Sequence, residues 1–282
     1  MSVAAALSGP LSIKNCFPIC LLILTLAAPF HASADEADDE VTDNPDRPYQ
    51  TDSTSTVPPW FVQLEMGMSL TKNGHTGDHL YAFSTPFSVR LGLTRNIEGR
   101  FGGGGLLYNT SDETTELGMG DLQVGARYRF FDDGAWFPSL GIEPTIKLPV
   151  ASRSKGLGTG QPDFAMALLM SKDLPFKFHV DANGIGAYLG EEMHPGRFYF
   201  QQVASLVISY TITDRLGPFW EIVWASQSAP GEAKTLFTDF GYVYLLYPWM
   251  TIDLGLSAGL SKGADTSAVV GGFTMLFGQN KR

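Results

Sequence analysis

Cysteine is nearly absent from this chain of 282 residues, since its only two are Cys16 and Cys20, both close to the N-terminus. No thiol follows Cys20. The remainder of the chain therefore cannot form a disulfide, present a thiolate nucleophile or bind a metal through cysteine.

Long apolar runs are also missing beyond the N-terminus. A membrane-spanning helix needs about 20 consecutive apolar residues, and every comparable stretch of the chain is interrupted by Gln, Asp, Glu, Lys, Arg or Pro. Mean hydropathy is close to zero although 44% of the residues are hydrophobic. This composition disfavours a bundle of membrane-spanning helices.

The chain has no basic patch of the kind that binds nucleic acid. Only 17% of its residues are charged, and the formal net charge is −10. Much of that charge lies in residues 35–52, which we interpret as a solvated acidic tail rather than a metal site. The glycine runs at residues 102–105 and 156–160 lack the Lys-Ser/Thr of a phosphate-binding loop, so no cofactor is predicted.

Residues 1–34 have the pattern of a cleavable signal peptide. Lys14 precedes an apolar stretch at residues 16–28, and Ala32-Ser33-Ala34 forms a small-residue cleavage site before Asp35. A retained membrane anchor is the alternative. The predicted organisation is a signal peptide at 1–34, an acidic, proline-containing periplasmic segment at 35–58, and a β-barrel at 59–282.

From Trp60 onward, apolar and polar residues alternate in segments of about ten, the period of a strand with one apolar face. Short connectors alternate with longer polar ones, so we predict an all-β fold, a transmembrane antiparallel β-barrel of about twelve strands. Its expected location is the outer membrane of a Gram-negative bacterium, with membrane lipid, lipopolysaccharide and the barrel-assembly machinery as partners. A soluble β-sandwich or barrel is the alternative.

In such a barrel, the polar face of the strands lines a lumen. The candidate lumen-lining residues are Glu65, Arg90, Glu98, Arg100, Arg127, Arg129, Glu143, Lys147, His179, Asp181, Glu221, Asp239 and Asp253. Their mixed signs favour mutual pairing over a strongly ion-selective pore. His179 and Asp181 share one face and could join Glu221 in a hydrolytic or metal constellation, but a solvated lumen wall is the simpler interpretation.

The segment at 35–58 has few large apolar residues and should be poorly ordered by itself. Its Asp46-Arg47-Pro48 motif combines charge with a rigid proline directly before the first predicted strand. We therefore hypothesise that this motif folds back to the mouth of the lumen or plugs it.

Two groups of motifs carry a family resemblance. The first is Asp46-Arg47-Pro48, then Val57-Pro58-Pro59 and Gln63-Leu64-Glu65-Met66-Gly67. The second is Gly158-Thr159-Gly160 with Asp163-Phe164 and Ser171-Lys172-Asp173-Leu174. Together they resemble outer-membrane barrels associated with the meta-cleavage pathway of phenol degradation. The resemblance implies a barrel that passes small aromatic or hydrophobic compounds, without catalytic residues.

The leading functional hypothesis is thus an outer-membrane channel or transporter barrel for a small-molecule solute. A second is an outer-membrane barrel hydrolase acting on lipid or peptide, although no Ser, His and carboxylate have the spacing of a triad. A third is a structural barrel without transport.

Overall fold

A computed structural model describes residues 45–73, 80–110, 114–261, 264 and 266–278, most of which belong to one antiparallel sheet. The predicted signal peptide lies outside the described residues. The strands are β1 (Val62–Asn73), β2 (Leu80–Ser84), β3 (Phe87–Gly92), β4 (Ile97–Gly103), β5 (Leu106–Thr110), β6 (Thr115–Met119), β7 (Leu122–Phe131), β8 (Ser139–Leu148), β9 (Asp163–Leu174), β10 (Phe178–Gly190), β11 (Phe198–Tyr210), β12 (Leu216–Ala225), β13 (Thr235–Tyr247), β14 (Met250–Gly259) and β15 (Thr266–Phe277). Within these ranges, no helix is long and apolar enough to cross a membrane.

The sheet closes on itself, because β1 pairs with β15 along its whole length, from Val62 opposite Phe277 to Asn73 opposite Thr266. Three barrel strands consist of two segments each, namely β2 with β3, β4 with β5, and β6 with β7. Counted this way, the barrel has twelve antiparallel strands. The predicted fold class is confirmed.

The three interruptions lie side by side in the wall. The first falls at Thr85-Pro86, where proline has no N–H for the ladder. The second is at Gly104-Gly105, where Gly105 has φ +62, a value that glycine adopts without strain. At the third, Gly120 donates its N–H to the carbonyl of Gly105 over 2.8 Å, so the neighbouring strands stay joined across the break.

Side chains point alternately outward and inward, and the outward ones are apolar. Leu168, Trp220 and Leu254 are exposed on the outer surface, whereas Arg90 and Glu221 on the inner face are fully buried. A soluble barrel has the opposite arrangement, with its polar side chains facing outside water. This inverted pattern is that of a barrel that spans a membrane.

The connections differ in length at the two ends of the barrel, as predicted. Residues 93–96, 132–138, 175–177, 211–215 and 248–249 form short connections at the end that also carries Val62 and Phe277. We call this the turn end and the opposite one the loop end. Three of the predicted long loops, at 72–79, 110–118 and 262–266, lie partly outside the described residues.

The loop at 149–162 folds into the barrel mouth at the loop end. Its Leu157 and Ala151 pack against Leu107 of β5. Near its base, Nζ of Lys147 lies 3.3 Å from Asp121 and 2.7 Å from Asp163. The loop therefore covers part of this mouth.

An apolar patch occupies the inner wall of β9–β12. It consists of Ala167, Leu169, Ile185, Val203, Val223 and Ala225, with Ala165 and Phe237 packed against it. Residues 198–212 show little alternation in the sequence because β11 contributes apolar Val203 to this patch on its inner face.

Candidate functional site

Residues 45–59 lie inside the barrel, where they contact wall side chains on opposite sides, and we call them the plug. Thr51 and Thr54 are fully buried there. The plug enters at the turn end, where the N–H of Val57 donates to Glu98 of β4 over 2.8 Å. It then crosses the lumen, so that a segment expected to be poorly ordered by itself is ordered by the wall.

Three arginines on the inner face of β3, β4 and β7 bind the plug, and we call Arg90, Arg100 and Arg127 the arginine cluster. Their guanidinium nitrogens lie 3.1, 3.0 and 2.9 Å, respectively, from Oδ2 of Asp46. Arg127 also donates to Oδ1 of Asp46 over 3.2 Å. One plug carboxylate is therefore held by three cations.

Wall glutamates hold the arginine cluster in position. Arg90 lies 2.9 Å from Glu98 and 3.0 Å from Glu65. Glu143 lies 2.7 Å from Arg100 and 2.8 Å from Arg127. Buried charges are tolerated only when they are paired and hydrogen-bonded, a condition that this network meets.

The charge of Asp46 is stabilised by its surroundings. Burial alone would raise the pKa of Asp46, but the charges of Arg127, Arg90 and Arg100 outweigh burial and hold this pKa well below its usual range. Because the pKa of Asp46 is depressed in the bound plug, Asp46 stabilises plug binding at every pH above its ordinary pKa. This contribution is lost only as the pH falls from the ordinary pKa through the depressed one.

The pKa of Asp52 shifts in the opposite direction to the pKa of Asp46. Burial raises the pKa of Asp52 to about 6, although Arg100 and Arg127 lie 3.7 and 3.6 Å from its carboxylate. A raised pKa means that the bound plug favours protonated Asp52. The resulting contribution to plug binding is present below the ordinary aspartate pKa and is lost as the pH rises through about 6.

We therefore expect plug release to be more frequent at about pH 7.5 than at about pH 5. Open probability in planar bilayers measures this. Asp52→Asn, which cannot ionise, should show a smaller difference between the two pH values. An equal or larger difference in the variant would assign the pH dependence to other groups.

Arg47 binds a neighbouring part of the wall, formed by β1, β14 and β15. Its guanidinium lies 3.2 Å from Asp253 of β14 and donates to the carbonyl of Gly271 over 3.1 Å. Two facing wall glycines provide the space, because a Cβ at Gly67 would lie 2.0 Å, and one at Gly272 2.6 Å, from guanidinium nitrogens of Arg47.

Gly67→Ala should release this anchor. The three atoms nearest to the added Cβ all belong to the Arg47 guanidinium, so we expect the ion pair with Asp253 to break while the wall stays intact. Open probability should rise severalfold. Gly184→Ala is the matched control, since a Cβ there has nothing within 4 Å. Equal behaviour of the two variants would contradict a role for Arg47 in holding the plug.

Carboxylates of β12 to β14 line the side of the lumen opposite the arginine cluster. Glu221 accepts hydrogen bonds from the N–H groups of Gln50 and Thr51 over 3.1 and 2.7 Å, and from the Thr51 hydroxyl. Asp239 is opposite Glu221 in the register of β12 and β13. The plug thus offers a carboxylate to the arginines and mainly N–H donors to this acidic wall.

Hydroxyl groups connect the plug to the turn end of the wall. Thr54 donates its hydroxyl to Ser139 over 2.7 Å, and its N–H donates to Ser171 over 2.8 Å. Ser171 in turn donates to Asp181 over 2.5 Å. These contacts fix the plug across several strands.

His179 is not arranged as the base of a serine hydrolase. Its Nδ1 lies 2.6 Å from Asp173 and its Nε2 3.1 Å from Asp181, so a carboxylate contacts each ring nitrogen. The Ser171 hydroxyl is directed to Asp181 instead. Among the described residues, no three His, Cys, Asp or Glu side chains are grouped to hold a metal ion.

The remaining candidates lie near the two ends of the barrel. Arg129 is at the turn end, where it lies 2.9 Å from Asp132. Lys147 is at the loop end, close to Asp121 and Asp163. The sequence did not indicate the roles of the plug residues Gln50, Thr51, Asp52 and Thr54, because these roles depend on contacts with distant strands.

Comparisons with known proteins agree with this architecture. A family model described as "Putative MetA-pathway of phenol degradation" matches residues 45–277. The fold is similar to that of the COG4313 outer membrane channel from Pseudomonas putida F1, with TM-score 0.65 and 14% identity, covering 79% of this chain and 98% of that one. The NanC porin has TM-score 0.51 and 12% identity, covering 75% and 98%. No curated protein matches by sequence.

Proposed function

The chain belongs to the family whose description refers to phenol degradation, and from that premise we propose that it is an outer-membrane channel for small aromatic or hydrophobic solutes, closed by its own plug. The turn end would face the periplasm. Passage along the lumen would require the plug to move. No covalent chemistry is part of this proposal.

The observation that carries the proposal is the polar character of the contacts that hold the plug. The plug binds the wall through ion pairs at Asp46 and Arg47 and through hydrogen bonds at Thr51 and Thr54. Water and a passing solute can compete for such contacts, whereas a large apolar core would hold the plug permanently. A removable obstruction supports a channel rather than a solid structural barrel.

The apolar patch on β9–β12 supports the solute class. An apolar inner wall gives an aromatic ring a surface on which to leave water, a gain that sugars and ions do not share to the same extent. Val203 and Val223 belong to this patch. The matched family has phenol degradation in its description.

A disulfide between plug and wall tests the proposal. The hydroxyl oxygens of Thr54 and Ser139 are 2.7 Å apart, so cysteines at these two positions are close enough to join. The chain's own Cys16 and Cys20 are replaced by serine. We expect the oxidised Thr54→Cys/Ser139→Cys barrel to block the uptake of phenyl β-glucoside, an aromatic solute that crosses lipid poorly by itself, into liposomes, and reduction to restore it.

Thr54→Cys alone is the control, and oxidant should leave its transport unchanged. Glucose, which lacks the aromatic ring, serves as the comparison solute and should pass more slowly than phenyl β-glucoside through the reduced barrel. Equal transport by the oxidised and reduced double variants would place the route outside the lumen. A folded barrel that passes neither solute in either state would favour the structural alternative.

A further inference from the structure

When the plug leaves the lumen, the arginine cluster stays on the wall, whereas its ligand Asp46 leaves with the plug. Arg90, Arg100 and Arg127 are on β3, β4 and β7, whereas Asp46 is on the plug. Nη1 of Arg127 donates to Asp46 over 3.2 Å and to the carbonyl of Ser55 over 2.9 Å, and both acceptors belong to the plug. Plug release therefore leaves guanidinium N–H groups that need a new acceptor.

We infer that the arginine cluster is a binding site for a carboxylate anion, which the plug fills with its own Asp46. Planar guanidinium groups match the geometry of a carboxylate, and charge-assisted hydrogen bonds of this kind are the strong ones. A carboxylate-bearing solute in the lumen would compete with Asp46 for this site and so favour the open channel. The inference rests on the proposed function only in that the plug can leave.

The surrounding charges favour a monoanion. Glu65, Glu98 and Glu143 already balance the three arginines. Asp46 adds one negative charge in direct contact with the cluster, while Asp52 of the plug lies farther away, 3.7 Å from Arg100 and 3.6 Å from Arg127. A phosphate dianion would place two charges where the Asp46 carboxylate places one. Both oxygens of the Asp46 carboxylate are used, because Oδ2 contacts the three arginines while Oδ1 also accepts from the Ser53 hydroxyl over 3.2 Å.

Chemical rescue tests the site without requiring transport. Asp46→Ala removes a carboxylate of the size of formate. The variant is made in a barrel in which Thr54→Cys is the only thiol, and the maleimide labelling rate of that buried cysteine reports plug release. We expect Asp46→Ala to label faster than the parent, and formate to slow labelling about tenfold relative to chloride at equal ionic strength.

Asp46→Asn is the matched control. Its amide lacks the charge but still fills the site, so labelling should be faster than in the parent and insensitive to formate. Equal effects of formate and chloride on Asp46→Ala, or equal slowing of both variants by formate, would overturn the inference. Slow labelling of Asp46→Ala in chloride would also overturn it, because the cluster would then not hold the plug.

Conductance of the same proteins separates this inference from the proposed function. If formate slows labelling of Asp46→Ala while no variant conducts or passes solute, the carboxylate site stands and the channel proposal fails. If Asp46→Ala conducts but its labelling ignores formate, the channel proposal stands and the carboxylate site fails.

Discussion

Deletion of residues 45–56 is expected to raise single-channel conductance by about an order of magnitude, because the wall side chains of a twelve-strand barrel do not fill its lumen. These residues include the anchors Asp46, Arg47, Thr51 and Thr54. The strands begin only at Val62, so the barrel should still close. Planar-bilayer recordings of the refolded protein measure the change, with β-sheet circular dichroism confirming the fold.

A second variant keeps the full length of the chain but has glycine and serine in place of residues 46–56. It separates the effect of the plug's specific contacts from the effect of the plug's volume. If specific contacts close the lumen, this variant should conduct nearly as well as the deletion. Unchanged conductance in the deletion would show that the plug does not limit passage. The loop at 149–162, which covers part of the other mouth, would then be the expected constriction.

Arg127→Ala is expected to cost about 3–5 kcal/mol of unfolding free energy, the range for removing one partner of a buried ion pair. The arginine is fully buried and contacts both Glu143 of the wall and Asp46 of the plug. Its loss leaves two carboxylates short of a cation at a buried position. Urea unfolding of the barrel in lipid vesicles measures this free energy.

Arg129→Ala is the control on the same strand. Its partner Asp132 is largely exposed, and exposed pairs contribute about 0–1 kcal/mol. In the plug deletion, water would reach the arginine cluster, so the cost of Arg127→Ala should fall. The same cost with and without the plug would contradict the view that the plug buries this cluster.

The fold could be predicted from the sequence because strand periodicity is local. Alternation along β7 and β14 has a period of two residues, and turn-forming residues such as Asp214 and Pro248 lie between the strands. Alternation fails in β11, where the inner face carries Val203 and Val207. It also gives no sign of the aligned interruptions, which depend on the pairing of neighbouring strands.

The candidate site could be predicted from the sequence only in part. Charged residues on the inner face, such as Arg90 and Glu221, follow from strand alternation. The contacts between Asp46 and the arginine cluster join residues far apart in the chain, and no local pattern encodes them. Gly67 and Gly272 were a usable signal, because glycine at inward positions of paired strands can mark a place where another group approaches closely.

The plug is continuous with the first strand, since only Trp60 and Phe61 separate it from Val62. A released segment of about 15 residues can extend by about 3.3–3.6 Å per residue, so it stays near the mouth that it left. Short tethers give effective concentrations in the millimolar range. Reclosure is thus intramolecular and independent of protein concentration. A solute present at about micromolar concentration must bind about a thousandfold more tightly than the plug to keep the channel open.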